Sequence, residues 1–400
     1  MKNRYKIMAI ILVLLLLGSL AACGEKPAVS GGDHSDWVWV RDGITYGALT
    51  DTGFYYVDYC FLSYFDFAAN ASTVLCYNAG CRHEDEQCDA YMFAMANRPM
   101  YFFDDRLYYF SQTEPTLYSR NAIGIDLKKI GTVGTKYIEE QKSVKIGHCA
   151  IAGGYLYYEA DVYSATTDEN GASMLMVERE YVGRINLTTG KDEIIIEEIH
   201  DKQNEKLILC AVRANGILLN RWEGMEDIDR NDPAYTDVLG KIPVTLEQWS
   251  GESNETTVLF RKTINDCSGI KMVSGGKVYY TSYSSSKEDN AGYTYSYDLS
   301  TGKEETACPH RTRWHLGGAY VQCNDLEGNV FLYDMSTGKT LPYELNSVAN
   351  VYNVSDKGYV MQLTVDTEDG SFKERRFYYV TLDSLADGLQ EADLQYIYTF

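Results

Sequence analysis

Tyr295-Ser-Tyr-Asp-Leu-Ser-Thr-Gly302 and Phe331-Leu-Tyr-Asp-Met-Ser-Thr-Gly338 repeat one phrase: an alternating strand, an acid, a small polar turn and a glycine. Working outward, the phrase returns as Tyr64 to Asn70, Ile123 to Gly131, Val182 to Gly190, Leu246 to Gly251 and, more weakly, Tyr379 to Gly388. The turn ends at 70, 131, 190, 251, 302, 338 and 388 lie 36 to 61 residues apart. A blade of four short strands takes about 40 to 50 residues, so this period is that of a β-propeller. Ahead of most copies comes a second strand, often led by glycine, as in Gly53-Phe-Tyr-Tyr56, Gly154-Tyr-Leu-Tyr-Tyr158 and Gly276-Lys-Val-Tyr-Tyr280. Two strands, a loop and a closing hairpin give the meander of a blade.

The expectation is an all-β chain folded as one propeller over residues 37–400, with seven blades of four antiparallel strands. No proline-rich linker divides it, and 34 Tyr with 13 Phe suit pleated, half-buried surfaces. Trp37-Val-Trp-Val40 alternates as a strand, and pairing it with Gln395 to Phe400 would close the ring and hide its edges.

Ahead of that domain, a basic stub carrying Lys2, Arg4 and Lys6 precedes the apolar run Ile7 to Leu17. That run is shorter than the roughly 20 residues a spanning helix needs, and small residues follow it, which marks an export signal over residues 1–22. Leu20-Ala-Ala-Cys23 reads as a lipobox, with Cys23 acylated, and residues 23–36 as a flexible tether. The expected location is the outer side of a bacterial cell membrane, held there by lipid.

The chain has Lys+Arg 36 against Asp+Glu 57. Without the three basic leader residues the balance is 33 minus 57, or −24. Such a surface repels phosphate backbones, which argues against nucleic acid as a partner.

Within Leu75-Cys-Tyr-Asn-Ala-Gly-Cys-Arg-His-Glu-Asp-Glu-Gln-Cys88, Cys76, Cys81, His83 and Cys88 offer three thiols and an imidazole. Zinc accepts that donor set in a closed structural site. Outside the cytoplasm a disulfide is the commoner use of cysteine, with Cys60 available as a fourth partner, and free thiols in a reducing habitat are the third reading. No Cys-x-x-Cys is present, which disfavours redox catalysis. Cys149, Cys210, Cys267 and Cys308 read as small apolar core residues at repeat-equivalent positions, and Cys323 also reads as core. His310, Trp314 and His315 suggest a ligand-contacting loop at the channel mouth, or else a solvated connection with a packed Trp.

Lipobox, tyrosine-rich blades and the motif running from Leu75-Cys76 to Cys88-Asp-Ala90 resemble the uncharacterised β-propeller-like surface lipoproteins of Gram-positive anaerobic bacteria. The resemblance covers the mature chain and implies fold and location; it brings no activity. Nucleophile-elbow, zincin, P-loop and EF-hand patterns are missing or broken. The function expected is therefore non-enzymatic binding of a protein, peptide or glycan by propeller loops. The alternative is a carbohydrate-active hydrolase or lyase on the same scaffold.

Overall fold

The computed structural model describes residues 37–40, 47–78, 80–92, 99–111, 114–167, 173–283, 291–345, 349–355, 357–366 and 373–399. The expected signal peptide, Cys23 and the tether to residue 36 lie outside the described residues.

The turn phrase folds the chain for a local reason. In each clear copy a carboxylate or amide closes the hairpin on itself. Asp298 Oδ1 accepts the amides of Ser300 (3.0 Å) and Thr301 (2.8 Å), and Asn186 Oδ1 does the same for Thr188 and Thr189. Asp66 holds Ala68 and Ala69, and Asp334 holds Ser336. The residue that ends the turn then takes a left-handed backbone, with φ 66° at Gly302 and 70° at Gly190. Glycine adopts it without strain. Two copies are displaced. The hairpin of blade two turns at Asn121–Gly124, where Asn121 Oδ1 accepts the Ile125 amide, so Gly131 falls inside a strand; in blade four the left-handed residue is Asn254.

Seven antiparallel sheets result, covering 47–74, 100–132, 143–199, 203–263, 269–308, 311–341 and 350–399, and they form a seven-bladed β-propeller. Each blade runs from its first strand, at the channel, to its fourth, at the rim, and the seven first strands touch round the ring. Leu107, Leu156, Ile217, Val278 and Val321, all fully buried, occupy one equivalent place on the second strands and carry the core between blades. In blades three to seven the first strand also bears a β-bulge, which adds local twist.

Ring closure differs from the expected pairing. Gln395–Thr399 is the fourth strand of blade seven and, among the described residues, pairs only with Lys373–Thr381. Val38–Trp39 instead adds a fifth strand to blade four, on the channel side of Gln203–Arg213, with Val38 opposite Val212 and Trp39 opposite Ala211. It also touches the first strands of blades three and five, so it stands within the channel. Blades one and seven close the ring by packing: Tyr398 stacks between Tyr56 and Phe377 with ring centroids 4.4 Å from each, and Phe67 lies 3.7 Å from Tyr379. Aromatic faces do here what strand exchange was expected to do.

The direction of that channel strand defines two faces. Trp37 sits level with Arg213, whose guanidinium covers its ring at 4.7 Å, on the face of the tight turns such as Gly153–Gly154 and Gly275–Gly276. The chain then climbs toward the opposite face, where Val40 donates to the Cys210 carbonyl. That second face carries the connections 75–78, 80–92, 133–142 and 226–242 and, among the described residues, two short α-helices, Thr135–Glu139 and Tyr235–Leu239.

Candidate functional site

The Cys/His motif lies on the long-loop face, in the connection from blade one to blade two. The chain leaves the outer strand Ala71–Val74 with the Leu75 amide on the Leu62 carbonyl, and a turn at Asn78 brings the Cys81 amide to the Asn78 carbonyl at 3.0 Å. His83 adopts a left-handed backbone, φ 55°, which reverses the chain. Asp85 then accepts the amides of Gln87, through Oδ1, and of Cys88, through its carbonyl, and returns the chain to the blade. Leu62 donates to the Ala90 carbonyl and Met92 to that of Cys60.

These turns place one ligand atom each from Cys76, Cys81, His83 and Cys88 within 4.8 Å of one another. His83 Nδ1 is 3.3 Å from Cys88 Sγ, and the His83 amide donates to Cys81 Sγ at 3.4 Å. Cys88 is buried and the other three are half-buried. Tetrahedral zinc at Zn–S distances of about 2.3 Å sets its ligand atoms about 3.8 Å apart, so donor type and spacing both fit that ion. Burial, helped by the thiols of Cys81 and Cys76, pushes the Cys88 thiol up to about 12, a penalty that a coordinated cation reverses. The nine described cysteines, Cys60 included, are unbridged, and Cys60 stands outside the four-residue group.

His310, Trp314 and His315 do not share a loop. Arg311–Gly317 is the innermost strand of blade six, so adjacent side chains point to opposite blades. Trp314 packs into the cluster of blade seven, and His315, 5% exposed, faces Tyr279 of blade five. His310 lies in the turn before the strand, edge-on to Phe331 and Tyr333 at 5.1 Å. Trp314 and His315 do line a small pocket of about 70 Å³ with Trp39, Lys271 and Thr312, beside the channel strand. The cysteines are also sorted more finely than the repeat implied. Cys149 and Cys210 sit at the bulges of first strands, whereas Cys267 and Cys308 sit where a blade's last strand hands over to the next; all four are buried.

A second group escaped the sequence reading. On blade three His148 Nδ1 bonds Glu159 Oε1, and His200 Nε2 lies 3.4 Å from Glu180 Oε2. Tyr163 donates to Asp161 at 3.0 Å. The carboxylates also reach the next blade, where Glu159 accepts the Leu209 amide at 2.9 Å through its other oxygen, Oε2, and Glu180 accepts the Leu207 amide at 2.6 Å through the same Oε2 that faces His200. These amides lie along the channel-side edge of Gln203–Arg213, beyond the stretch that Val38–Trp39 covers. The carboxylates thus replace a missing strand neighbour. Burial, reinforced by Asp161 and Glu159, pushes Glu180 up to about 7, and burial also raises Asp161 and lowers His200. Next to this group a cleft of about 320 Å³ opens between blades two and three, lined by Phe110, Glu114, Lys145, Ile146, Tyr163 and Leu175. The one sequence signal was Glu159, Asp161 and Tyr163 alternating on a single strand face.

No protein-family profile matches the chain, and no curated protein matches it in sequence. Among solved structures it is similar to an oligogalacturonate lyase in complex with manganese, at 13% identity and TM-score 0.49, over 90% of this chain and 92% of that one. It is similar also to the acylaminoacyl peptidase of Pyrococcus horikoshii, at 11% identity and TM-score 0.49, over 90% of this chain and 52% of that one. TolB from Acinetobacter baumannii matches at 12% identity and TM-score 0.34, over 84% of this chain and 76% of that one.

Proposed function

We propose that this chain is an extracytoplasmic lipoprotein, tethered through Cys23 to the outer side of the cell membrane, that binds a protein, peptide or glycan through its long-loop face without catalysing a reaction. The observation that carries this reading is the course of Trp37–Val40. The chain enters the channel from the tight-turn face and climbs toward the loops. A tether leading into Trp37 therefore joins the propeller on the side opposite its long connections, and the loops are held outward. Without the leader the chain carries 33 basic against 57 acidic residues, a net −24 that keeps phosphate polymers off it.

The test has two parts. Cys23→Ala should abolish fatty-acid labelling and move the protein from the membrane fraction to the medium; a variant that stays membrane-bound refutes the anchor. In whole cells, a membrane-impermeant maleimide should label Asp227→Cys, on the loop face, faster than Ser300→Cys, on the turn face. Equal rates refute the orientation.

Within this reading Cys76, Cys81, His83 and Cys88 hold a structural zinc that orders the connection between blades one and two. The support is the convergence of four donors from a thirteen-residue stretch, 76 to 88. Native mass spectrometry should find one zinc per chain in the wild type and none in Cys81→Ser. A Cys76–Cys81 or Cys81–Cys88 disulfide in its place refutes the site.

A second reading, a carbohydrate-active hydrolase or lyase, is favoured by one observation: Glu159, Asp161 and Glu180 gather near Tyr163 beside the largest cleft described above. Paired carboxylates serve as acid and base in glycoside cleavage. Release of new sugar ends from a panel of oligosaccharides, lost in Asp161→Asn, establishes it. No release by the wild type dismisses it.

A further inference from the structure

Five of the buried cysteines read as plain core residues, yet two of them meet across a blade boundary. Cys308 ends the last strand of blade five, Glu304–Cys308, and Cys323 lies in the second strand of blade six, Tyr320–Asn324. Their sulfurs are 3.5 Å apart, and both residues are fully buried. The register explains the meeting. Cys308 stands opposite Thr294 and Cys323 opposite Thr312, and the Thr294 hydroxyl donates to that of Thr312 at 2.8 Å, which ties the two strand pairs together at this level. Val321, Tyr333 and Phe331 pack round the pair.

We infer that Cys308 and Cys323 are a redox pair that closes to a disulfide, locking blade five to blade six. The chemistry is thiol–disulfide exchange with a small-molecule disulfide as oxidant. One thiolate, Cys308, attacks a sulfur of the oxidant; the oxidant's own S–S bond breaks, a mixed disulfide forms, and one thiolate leaves. Cys323 then loses its proton and attacks Cys308 Sγ, forming the Sγ–Sγ bond and expelling the second thiolate. The protein gives up two electrons and two protons, and the oxidant becomes two thiols. The Cys323 S–H directed at Cys308 holds the Cys308 thiol below its ordinary range, which suits it to attack first. Because both sulfurs are buried, exchange takes place while the boundary between these blades is open, during folding or local opening.

This pair is separate from the Cys76–Cys88 motif, and it changes how that motif must be tested. A mass gained on reduction of the intact chain does not say which cysteines were bridged. Peptide mapping does. The full-length chain is refolded with or without oxidised glutathione, free thiols are alkylated, and trypsin cuts after Lys303, Arg311, Arg313 and Lys339. The expected result is peptide 304–311 joined to peptide 314–339 in the oxidised sample, freed by reductant and missing from Cys323→Ala. Oxidation should also raise the Tm of the wild type and leave that of Cys323→Ala unchanged. Both peptides alkylated after oxidation, or Cys308 joined to a different cysteine, overturns the inference. If Cys323→Ala fails to fold, the wild-type map alone decides.

Discussion

At the scale of single residues, the hairpin turns are the most legible feature of the chain because each is closed by atoms a few positions apart. Asp298 shows the economy of the device: the Ser300 hydroxyl, joined by the Thr301 amide, holds its carboxyl down to about 2. Asn186 closes the equivalent turn of blade three without a charge. Asp298→Ala should therefore cost about 1–2 kcal/mol in urea unfolding, and Asp298→Asn should recover most of it. The depressed carboxyl contributes its stability above the ordinary value of 3.8, and that contribution is lost as pH falls toward 2. Glu180 behaves in the opposite sense. Burial has raised it from 4.5 to about 7, so the fold favours its neutral form, and stability is lost as pH rises between those values. The loss is at most about 3 kcal/mol, and Glu180→Gln, which still accepts the Leu207 amide, should flatten it in unfolding curves measured from pH 4.5 to 8. A pH dependence unchanged in the variant assigns the effect to Asp161, which burial also raises. Neither Glu180 nor the contact between Cys308 and Cys323 could be read in advance, because each partner sits on a different blade.

At the scale of elements, Trp37–Val40 shows what alternation tells and what it withholds. The pattern announces a strand, and a strand forms. It contains nothing that names the edge it joins, since backbone amides and carbonyls are alike on every edge. Blade four wins through side chains. Trp37 is buried among Cys210, Ala211, Leu218 and residues of blade five, under the Arg213 guanidinium. Trp37→Ala should lower the unfolding free energy by about 3 kcal/mol, as large-to-small changes of buried aromatics do. A chain beginning at residue 41 should lose at least as much, and one beginning at residue 37 should match the full-length protein in thermal melts. The connection over residues 75 to 91 is a similar case. Its donors could be counted in the sequence, and their convergence rests on the reversal at His83 and on the return to Leu62 and Cys60.

At the scale of the molecule, the ring is only as strong as its seam. Among the described residues blades one and seven share no strand, and the Phe377, Tyr398 and Tyr56 rings stand in line across the boundary, with the Ser72 hydroxyl bonded to the Ile397 carbonyl. Tyr398→Ala removes the middle ring and should cost about 3–4 kcal/mol in denaturant unfolding. Deleting residues 395–400 exposes the edge of Lys373–Thr381 and should shift the protein toward association in sedimentation experiments. A monomeric truncated protein of unchanged stability contradicts a seam made by these rings.

Period, turn chemistry and aromatic alternation determined that this chain is a propeller of seven blades, because each blade is built from contacts local in sequence and repeats them. The tertiary structure alone decided which edge Trp37–Val40 joins, how the ring closes, which face carries the long loops, and which carboxylates and thiols meet between blades. Those outcomes depend on the packing of surfaces some tens to hundreds of residues apart, and no local pattern encodes the partner.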